Sequence, residues 1–538
     1  MLLAGVIAAA GCGSAGSSST APSTSTTTTP TTPVATRIIS LTASSLCTAA
    51  VGSNAIGTLT IANLGDSTLT WTGLSTGGAE FTVSATSGTI KAGEHTKVTV
   101  TFTPTSVKAF TGTLTVTSDA TSGTATAAIS ATGTANTGAA SPGSLDTTFG
   151  TAGKYPSTLY GTSMFGPSVA ISPDCHVVVA GKHYNGADDD YALLRLASTG
   201  SVDYSVTTSF SDAKNENAKA VLVLPDERIM MAGEGNTSGT YAQHGVTRML
   251  SNGTLDTAFG KSGKVSIDFG RLSHAHGLAR QPDGKVLVVG DSYGGAGNLN
   301  GSLALARLNV DGSLDSSFGT VGLVQVSLGV STNGHSVVVS PDGSVTVGGY
   351  VENATNGGSP CFIARFTSAG KTDTTFGTAG VTLVSLSNDY SHYCHSLVQQ
   401  ADGKFVLGGS VVRSSTSSDF LMSRFTTSGQ LDTTFDSDGI VTTAFTSSSE
   451  ASAALLQPDG KIVLGGYSAG KFALARYTTT GALDTGFATA GKTVFAFALG
   501  LNEQIKSLAL QPDGKIVAVG YSVDREQFKL AVARLIGR

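Results

Sequence analysis

One short phrase occurs seven times after residue 143, and it limits what this chain can fold into more than any other feature. Each copy has an apolar run, a Pro-Asp-Gly-like corner and a second apolar run that ends in glycine; the last copy reads QPDGKIVAVG. The aspartate of the corner recurs every 52 to 60 residues, at Asp174, Asp226, Asp283, Asp342, Asp402, Asp459 and Asp513. A hairpin that recurs at such a period indicates a repeat architecture.

The sixth copy shows what one repeat contains. Its hairpin runs through residues 451–466, a third apolar segment covers residues 471–477, and a fourth segment follows the phrase LDTGF. The segments IVLGG and FALARY are apolar on both faces, which is typical of strands that are covered on both sides. Four antiparallel strands, packed between neighbouring sheets, predict one blade of a β-propeller.

The two ends of the repeat region complement each other, because one lacks the strand that the other supplies. The seventh copy stops after its third strand, whereas the region begins with LDTTFG at Leu145, which is a fourth-strand phrase without the first three strands. We expect the N-terminal strand to complete the last blade and to remove both free edges of the sheet. The sequence therefore predicts an all-β fold with a seven-bladed propeller over residues 144–538.

The same phrases carry a family resemblance. LDTTFG, LDTAFG, LDSSFG and LDTTFD, together with the seven turns, resemble the delta-60 repeats of bacterial propellers. This resemblance implies the fold and an exported location, and it implies no particular activity.

A different pattern fills residues 37–136, which precede a linker at residues 137–143. Short segments such as LTIAN, KVTVTF and GTLTVT alternate apolar residues with threonine, as half-buried strands of an antiparallel sandwich do. The phrases IANLGDSTLTWTG and VTFTP followed by GTLTV resemble the Hydin/abnormal-spindle type of Ig-like domain, which implies a spacer or adhesion module. We expect Trp71, the only tryptophan, to lie in its core.

The first 36 residues contain no charged side chain. Residues 1–12 form an apolar run that ends in AAGC and resembles the lipidation signal of bacterial lipoproteins, with Cys12 as the lipidated residue. Residues 13–36 are rich in Ser, Thr and Pro and predict an extended tether. We therefore expect an outer-membrane or cell-surface lipoprotein, or alternatively a secreted protein, that meets the membrane only through its lipid.

Two polar positions recur in every repeat in addition to the turn aspartate. They are the Asp of the LD phrase and an Arg at the end of the third strand; the arginines are Arg195, Arg248, Arg307, Arg365, Arg424, Arg476 and Arg534. A catalytic group is needed once per molecule, whereas these occur once per blade. We interpret them as a structural Arg–Asp contact that ties strands together.

Histidine is distributed less evenly. His276, His335 and His395 lie seven residues before the turn aspartate in three successive repeats. They are weak candidates for a metal site, because equivalent positions on neighbouring blades should be too far apart for one zinc ion. Solvated or packed imidazoles are the favoured interpretation, and no metal or other cofactor is predicted.

The remaining cysteines allow one pairing. Cys361 and Cys394 begin strands of adjacent blades, so a disulfide between them is one possibility and two free thiols are the other. Cys47 and Cys175 have no partner that the sequence identifies.

Composition excludes some functions and leaves others open. A net charge of −5 without a basic stripe argues against nucleic acid. We expect a monomeric, non-enzymatic binding or adhesion platform for a protein or glycan at the cell surface. A hydrolase or lyase that acts on a polymer at one mouth of the propeller is the alternative, and a ring used only for display is a third hypothesis.

Overall fold

The computed structural model describes residues 35–43, 46–134, 141–156, 164–210, 216–235, 242–294, 301–352, 358–386, 391–497, 501–524 and 527–538. Cys12, the predicted signal and nearly all of the predicted tether lie outside these residues. All regular elements in the described part are β-strands, as predicted. None of the described residues lies in a helix that is long and apolar enough to cross a bilayer.

The N-terminal domain is a sandwich of two five-stranded sheets. Its strands are β1 Ile38–Ala43, β2 Thr48–Ala50, β3 Ala55–Asn63, β4 Leu69–Ser75, β5 Phe81–Val83, β6 Gly88–Ile90, β7 His95–Phe102, β8 Ala109–Ser118, β9 Ser122–Thr124 and β10 Thr126–Thr134. The sheet orders are β5-β7-β3-β1-β9 and β2-β10-β8-β4-β6. Trp71 is 2% exposed in the core between the sheets, where Leu59, Val100 and Leu114 also lie.

The rest of the described chain forms seven four-stranded antiparallel sheets, numbered here in chain order. Sheet 1 contains β12 Met164–Ile171, β13 Val177–Tyr184, β14 Asp189–Leu196 and β15 Val202–Thr208. Sheet 2 contains β16 Asn217–Val223, β17 Ile229–Gly235, β18 Gln243–Met249 and β19 Lys264–Ile267. Sheet 3 contains β20 Ser273–Arg280, β21 Val286–Tyr293, β22 Gly301–Leu308 and β23 Leu323–Val326.

The later sheets repeat this order. Sheet 4 contains β24 Ser331–Val339, β25 Val345–Glu352, β26 Cys361–Phe366 and β27 Val381–Val384. Sheet 5 contains β28 Ser391–Gln399, β29 Phe405–Ser414, β30 Ser417–Phe425 and β31 Ile440–Thr443, and sheet 6 contains β32 Ser449–Leu456, β33 Ile462–Ser468, β34 Lys471–Tyr477 and β35 Lys492–Phe495. Sheet 7 contains β36 Leu501–Leu510, β37 Ile516–Asp524 and β38 Gln527–Leu535, and its outer strand is β11 Lys154–Pro156.

The seven sheets close into a ring. The first strand of each sheet packs against the preceding sheet, and β12 of sheet 1 accordingly packs against β36, β37 and β38 of sheet 7. The outer strand of sheet 7 comes from the start of the region, because β11 pairs with β38 at Tyr155 and Val532. The Asp146 amide also donates to the Arg534 carbonyl at 2.8 Å. The start of the propeller region thus supplies the fourth strand that the last repeat lacks.

The Ig-like domain lies on one mouth of this ring. We call that mouth the turn mouth, because it carries the corners between the first and second strands. The Ile56 amide donates to the Pro512 carbonyl of sheet 7 at 2.8 Å, and the His95 amide donates to the Pro341 carbonyl of sheet 4 at 3.2 Å. Sheets 7 and 4 lie on opposite sides of the ring, and β3 extends about 20 Å from Ile56 to the partner of His95. The sandwich therefore spans the turn mouth.

A disulfide between Cys47 and Cys175 joins the Ig-like domain to the turn of sheet 1, with the two Cα atoms 5.3 Å apart. No sequence pattern identifies this pair, because the two cysteines lie 128 residues apart in different domains. The domain contacts the propeller directly, and so it does not stand apart from it as a separate spacer would.

Candidate functional site

The opposite mouth, where the first strands begin, is the candidate functional site; we call it the His mouth after His276, His335 and His395. Every first strand has a β-bulge near this mouth. In sheet 3 the pairing register shifts between Ala275 and Gly277, and this leaves His276 outside the ladder. The equivalent shifts in sheets 2 to 7 involve Lys219, His276, His335, His395, Ser452 and Lys506. A bulge re-aims the side chain of its extra residue.

Glycine on the second strand makes room for the bulge. A Cβ atom at Gly349 would lie 1.9 Å from the Asn333 carbonyl oxygen, and one at Gly290 would lie 1.9 Å from that of His274. No larger residue fits at such a distance from a backbone oxygen. The glycine that ends each second apolar run is therefore required by the bulge on the facing strand.

Three side chains of each sheet occupy equivalent positions at this mouth. They are the bulge residue, the residue two places before it, and the residue that pairs with the latter on the second strand. In sheets 2 to 7 these mouth triplets are Asn217, Lys219 and Glu234; His274, His276 and Asp291; Asn333, His335 and Tyr350; Tyr393, His395 and Ser410; Glu450, Ser452 and Tyr467; and Gln504, Lys506 and Tyr521. The same three backbone positions recur in these sheets, whereas the types of side chain at them mostly differ.

The three candidate histidines come together in space. The ring centroids of His276 and His335 are 4.5 Å apart, and those of His335 and His395 are 4.6 Å apart. Equivalent positions of neighbouring blades were expected to lie farther apart, and the bulges bring these rings together. Among the described residues, nevertheless, no group of three or more His, Cys, Asp or Glu side chains is arranged to hold a metal ion. The three imidazoles pack against one another, and His276 also contacts the carboxylate of Asp291.

The histidines belong to a larger cluster that we call the aromatic wall. Tyr350 stacks on His335 with centroids 5.3 Å apart and planes at 17°, and Tyr393 meets Tyr350 edge-on at 5.1 Å. His274 packs against Tyr293 at 5.7 Å. The wall comprises seven rings in sheets 3 to 5: His274, His276, Tyr293, His335, Tyr350, Tyr393 and His395.

One carboxylate anchors the edge of this wall. Asp291 lies within 2.9 Å of His274 Nδ1 and 2.6 Å of His276 Nε2, and its side chain is 3% exposed. Burial by itself would raise the pKa of Asp291, but the hydrogen bonds and charges of the two histidines outweigh burial and hold this pKa well below its ordinary value. Asp291 is therefore ionised and fixes the orientation of both rings.

Four other rings of the wall, those of His335, His395, Tyr293 and Tyr350, are uncharged at neutral pH. Burial, with Lys506 and His276 nearby, lowers the pKa of His395 to about 3, and burial lowers that of His335 well below its usual value. Burial and the Asp291 charge raise the pKa of Tyr293 to about 12. Nε2 of His335 has no hydrogen-bond partner within the described part of the chain. His335, His395 and Tyr293 are thus neutral, and the wall contains one buried imidazole nitrogen that lacks a partner among the described residues.

Charged and amide groups occupy the other side of the ring, and we call them the polar wall: Lys219, Glu234, Glu450, Gln504, Lys506 and Tyr521. Lys219 Nζ lies 2.7 Å from Glu234 Oε1. Tyr521 donates to Gln504 Oε1 at 2.7 Å, and Lys506 Nζ lies 5.6 Å from the centre of the Tyr521 ring. These residues come from sheets 2, 6 and 7, which face sheets 3 to 5 across the ring.

The recurring Arg and Asp residues lie at the turn mouth instead. Arg307 Nε donates to Asp315 Oδ2 at 2.7 Å, its Nη1 donates to the Ser368 carbonyl of the next sheet at 2.6 Å, and its guanidinium lies 4.4 Å from the Phe318 ring centre. The same Arg–Asp pair occurs in every repeat: Arg195–Asp203, Arg248–Asp256, Arg307–Asp315, Arg365–Asp373, Arg424–Asp432, Arg476–Asp484 and Arg534–Asp146. The contact ties neighbouring sheets together.

Most turn aspartates accept hydrogen bonds within their own corners, whereas Asp174 also pairs with Arg195 and Asp513 also accepts a hydrogen bond from the Thr48 hydroxyl of the Ig-like domain at 3.4 Å. Asp342 Oδ1 accepts a hydrogen bond from the Ser344 amide at 2.9 Å, and Asp513 Oδ1 accepts one from the Lys515 amide at 3.1 Å. The following glycines have positive φ, for example +78° at Gly343.

Cys361 and Cys394 form the disulfide that the sequence allowed, with Cα atoms 5.7 Å apart.

The sequence located the histidines but missed their partners. Asp291 and Tyr393 differ in type from the residues at the same positions in the other sheets from 2 to 7, and Tyr350 shares its type only with Tyr467 and Tyr521, so no phrase that recurs in every repeat marks them. The sequence nonetheless contained a signal for these partners. The residue that follows the glycine ending the second apolar run differs among most repeats: Glu234, Asp291, Tyr350, Ser410, Tyr467 and Tyr521.

Two family models match the chain. Residues 39–132 match the HYDIN/CFA65/VesB-like Ig-like domain. Residues 281–318, 340–376, 400–435, 457–487 and 511–535 match the domain of unknown function DUF5122, a β-propeller. The two predicted resemblances, an Ig-like domain followed by propeller repeats of the delta-60 type, are confirmed.

Solved structures that resemble the fold are remote. They include Sqt1 from Chaetomium thermophilum, 11% identical with a TM-score of 0.37 over 74% of this chain and 89% of that one. The polysaccharide lyase Uly1 is 13% identical, with a TM-score of 0.41 over 72% and 93%. The Penicillium chrysogenum alpha-L-arabinanase complexed with arabinobiose is 11% identical, with a TM-score of 0.37 over 59% and 92%. No curated protein matches the sequence.

Proposed function

We propose that this chain, a HYDIN/CFA65/VesB-like Ig-like domain followed by DUF5122-type propeller repeats, is an exported and lipid-anchored binding protein of the cell envelope. Its ligand binds at the His mouth. The observation that carries the proposal is the set of mouth triplets, in which equivalent backbone positions present unlike side chains that converge on one axis. Residues that serve only the scaffold repeat, as the Arg–Asp pairs do.

The position of the Ig-like domain supports the choice of mouth. The sandwich spans the turn mouth from the turn of sheet 7 at Pro512 to that of sheet 4 at Pro341. A ligand in solution therefore meets the propeller axis from the side of the histidines. Pockets that hold ligands are concave and combine apolar or aromatic walls with a few placed polar groups.

The electrostatics favour binding over acid–base catalysis. A general base works best when its pKa lies near the working pH. Burial lowers the pKa of His395 to about 3 and raises that of Tyr350 far above its ordinary value. At neutral pH both rings keep their protonation state, which suits a fixed recognition surface.

Two disulfides support export. Disulfides persist in oxidising compartments and are rare in the cytosol. Cys47–Cys175 and Cys361–Cys394 both form between residues that are distant in the sequence. Cys12 lies outside the described residues, and its proposed lipidation follows from the sequence alone.

A Cys12→Ser change tests the anchor. The wild-type chain, expressed in a bacterium with its N-terminal residues, is expected in the membrane fraction and to incorporate labelled palmitate. The variant is expected to lose the label and to leave the membrane fraction, because the lipid is proposed to be attached to the side chain of Cys12. Label that persists in the variant would rule out Cys12 as the anchor.

The site is tested by binding to isolated cell envelopes. The oxidised full-length protein is expected to bind, and a His335→Ala, Tyr350→Ala double variant is expected to bind at least about 10-fold more weakly, since both rings belong to the aromatic wall. Leu383→Ala is the control, because Leu383 is 52% exposed on an outer strand. Equal binding by all three proteins would place the site elsewhere.

An enzyme acting on a polymer is the second candidate, and one arrangement favours it. Asp291 orients His274 and His276, as a carboxylate orients a catalytic imidazole. Depolymerisation of a polysaccharide by the wild type, with loss of activity in His276→Ala and normal stability of that variant, would replace the binding proposal by this one.

A further inference from the structure

We propose that the His mouth binds a carbohydrate unit, which stacks on the aromatic wall and donates and accepts hydrogen bonds at the polar wall. This inference rests on the binding function proposed above and specifies the chemical class of its ligand. The juxtaposition that carries it is an aromatic surface in sheets 3 to 5 facing carboxylate, ammonium and amide groups of sheets 2, 6 and 7.

A sugar ring is amphipathic in the way that this site requires. Its C–H faces are apolar and its rim carries hydroxyl groups that both donate and accept hydrogen bonds. Aromatic side chains bury apolar surface at a low entropic cost, since they have few rotatable bonds. The half-buried rings of His335, Tyr350, Tyr393 and His395 provide a surface of this kind.

The aromatic wall also supplies hydrogen-bonding atoms. A neutral imidazole has one N–H donor and one acceptor nitrogen. Burial keeps His335 neutral by lowering its pKa, and its Nε2 lacks a hydrogen-bond partner among the described residues. This nitrogen is buried, so a ligand hydroxyl reaches it only when the rings around it shift; the hydroxyl would then satisfy either tautomer, because it both donates and accepts.

The polar wall matches hydroxyl groups better than a charged ligand. Glu234 is already paired with Lys219 at 2.7 Å, and Asp291 is already held by two histidines. Lys506 lies near the Tyr521 ring and feels the charge of Glu450, and burial lowers the pKa of Lys506. With the charges of both signs balanced in this way, the site lacks the single-sign field that would attract a polyanion or a strongly cationic peptide.

The test uses the oxidised full-length protein on two arrays in parallel. One array carries neutral and acidic oligosaccharides, and the other carries peptides of matched size. The proteins are the wild type, Tyr350→Ala, Tyr350→Phe and Leu383→Ala, each shown by its thermal transition to be folded. Phenylalanine keeps the ring of Tyr350, whereas alanine removes it.

The expected result is oligosaccharide binding that Tyr350→Ala weakens at least about 10-fold and that the Phe and Leu383 variants keep within about threefold. Peptide binding alone, with the same dependence on Tyr350, would overturn the carbohydrate ligand and leave the binding function intact. Oligosaccharide binding that Tyr350→Ala does not change would overturn this site. The absence of binding on both arrays would overturn the inference and the proposed function together.

Discussion

His395 shows how a single residue can be polar, central and yet uncharged. It packs against His335 at 4.6 Å and Tyr350 at 5.8 Å, and it lies within reach of the charges of Lys506 and His276. Burial dominates and lowers its pKa from 6.5 to about 3. The ring therefore serves as a neutral surface in the folded protein.

The pH dependence of unfolding tests this state of His395. Between pH 6.5 and 3 the unfolded chain binds a proton that folded His395 excludes, so stability falls as the pH drops through this interval. We expect His395→Phe to reduce proton uptake on unfolding at pH 5 by about one proton. Ser452→Ala, at the equivalent bulge of sheet 6, serves as the control and should leave uptake unchanged. Urea unfolding between pH 4 and 8 measures the effect, and an unaltered slope in His395→Phe would contradict it.

Arg307 represents the residues that repeat. Its side chain and that of Asp315 are 7% and 8% exposed, and the pair is joined to the next sheet through the Ser368 carbonyl. Arg307→Ala would leave a buried carboxylate with fewer partners, and we expect a loss of about 3 kcal/mol in the free energy of unfolding. Arg413→Ala is the control, since Arg413 is 38% exposed in its pair with Asp419 and such pairs contribute about 1 kcal/mol or less.

Denaturant unfolding measures both arginine variants, and array binding measures the ligand site at the same time. Arg307 lies at the turn mouth, so the folded variant should bind like the wild type. Equal stability of the two variants, or a ligand-binding defect in folded Arg307→Ala, would contradict its structural role.

At the scale of the element, the bulge of each first strand and the glycine of each second strand form one unit. The bulge turns a side chain toward the axis, and the facing glycine allows the backbones to approach. The sequence contains both halves, since the bulge residue and the glycine keep their places in every repeat from sheet 2 to sheet 7. The unit explains how the side chains at this mouth can vary while the strand pairing stays constant.

Gly349→Ala tests this unit. The new Cβ would lie 1.9 Å from the Asn333 carbonyl oxygen, and the bulge that presents His335 would have to shift. We expect a loss of about 1 to 3 kcal/mol in stability together with weaker ligand binding. Gly73→Ala in the Ig-like domain is the control, because its Cβ would approach the Thr117 side chain no closer than 3.4 Å. A Gly349→Ala protein with wild-type stability and binding would show that the strands tolerate the methyl group.

Strand-level features could be predicted well because they depend on local patterns. Apolar runs, turn glycines and the LD phrase fix the strands, their order and the exchange of β11 into sheet 7. The aromatic wall could not be predicted, because it requires the bulges to bring His276, His335 and Tyr350 together across sheets. The partner of Cys47 could not be predicted either, since it depends on how two domains dock and not on any pattern within one of them.

At the scale of the whole molecule, the Ig-like domain spans one mouth of the propeller, and the proposed binding site lies at the other mouth. Two backbone hydrogen bonds, from Ile56 and His95, and the Cys47–Cys175 disulfide hold it across the ring. Arg538 Nη1 also donates to Asn54 Oδ1 at 2.8 Å, which joins the C-terminal residue to the same domain. The docked domain thus contributes to the propeller's stability as well as to its shape.

Removal of the interdomain disulfide tests this arrangement. A link between residues 128 positions apart restricts the unfolded chain, and the chain-entropy argument gives a stabilisation of up to about 5 kcal/mol. We expect a Cys47→Ser, Cys175→Ser variant to unfold at a lower temperature and to cleave faster in the linker at residues 137–143 under limited proteolysis. Cys361→Ser, Cys394→Ser is the matched control, because that disulfide links two sheets within the propeller and should leave linker cleavage unchanged. The His mouth lies at the other end of the ring, so ligand binding by the folded Cys47→Ser, Cys175→Ser variant should stay within about twofold of the wild type. A larger loss of binding would mean that the Ig-like domain takes part in ligand recognition.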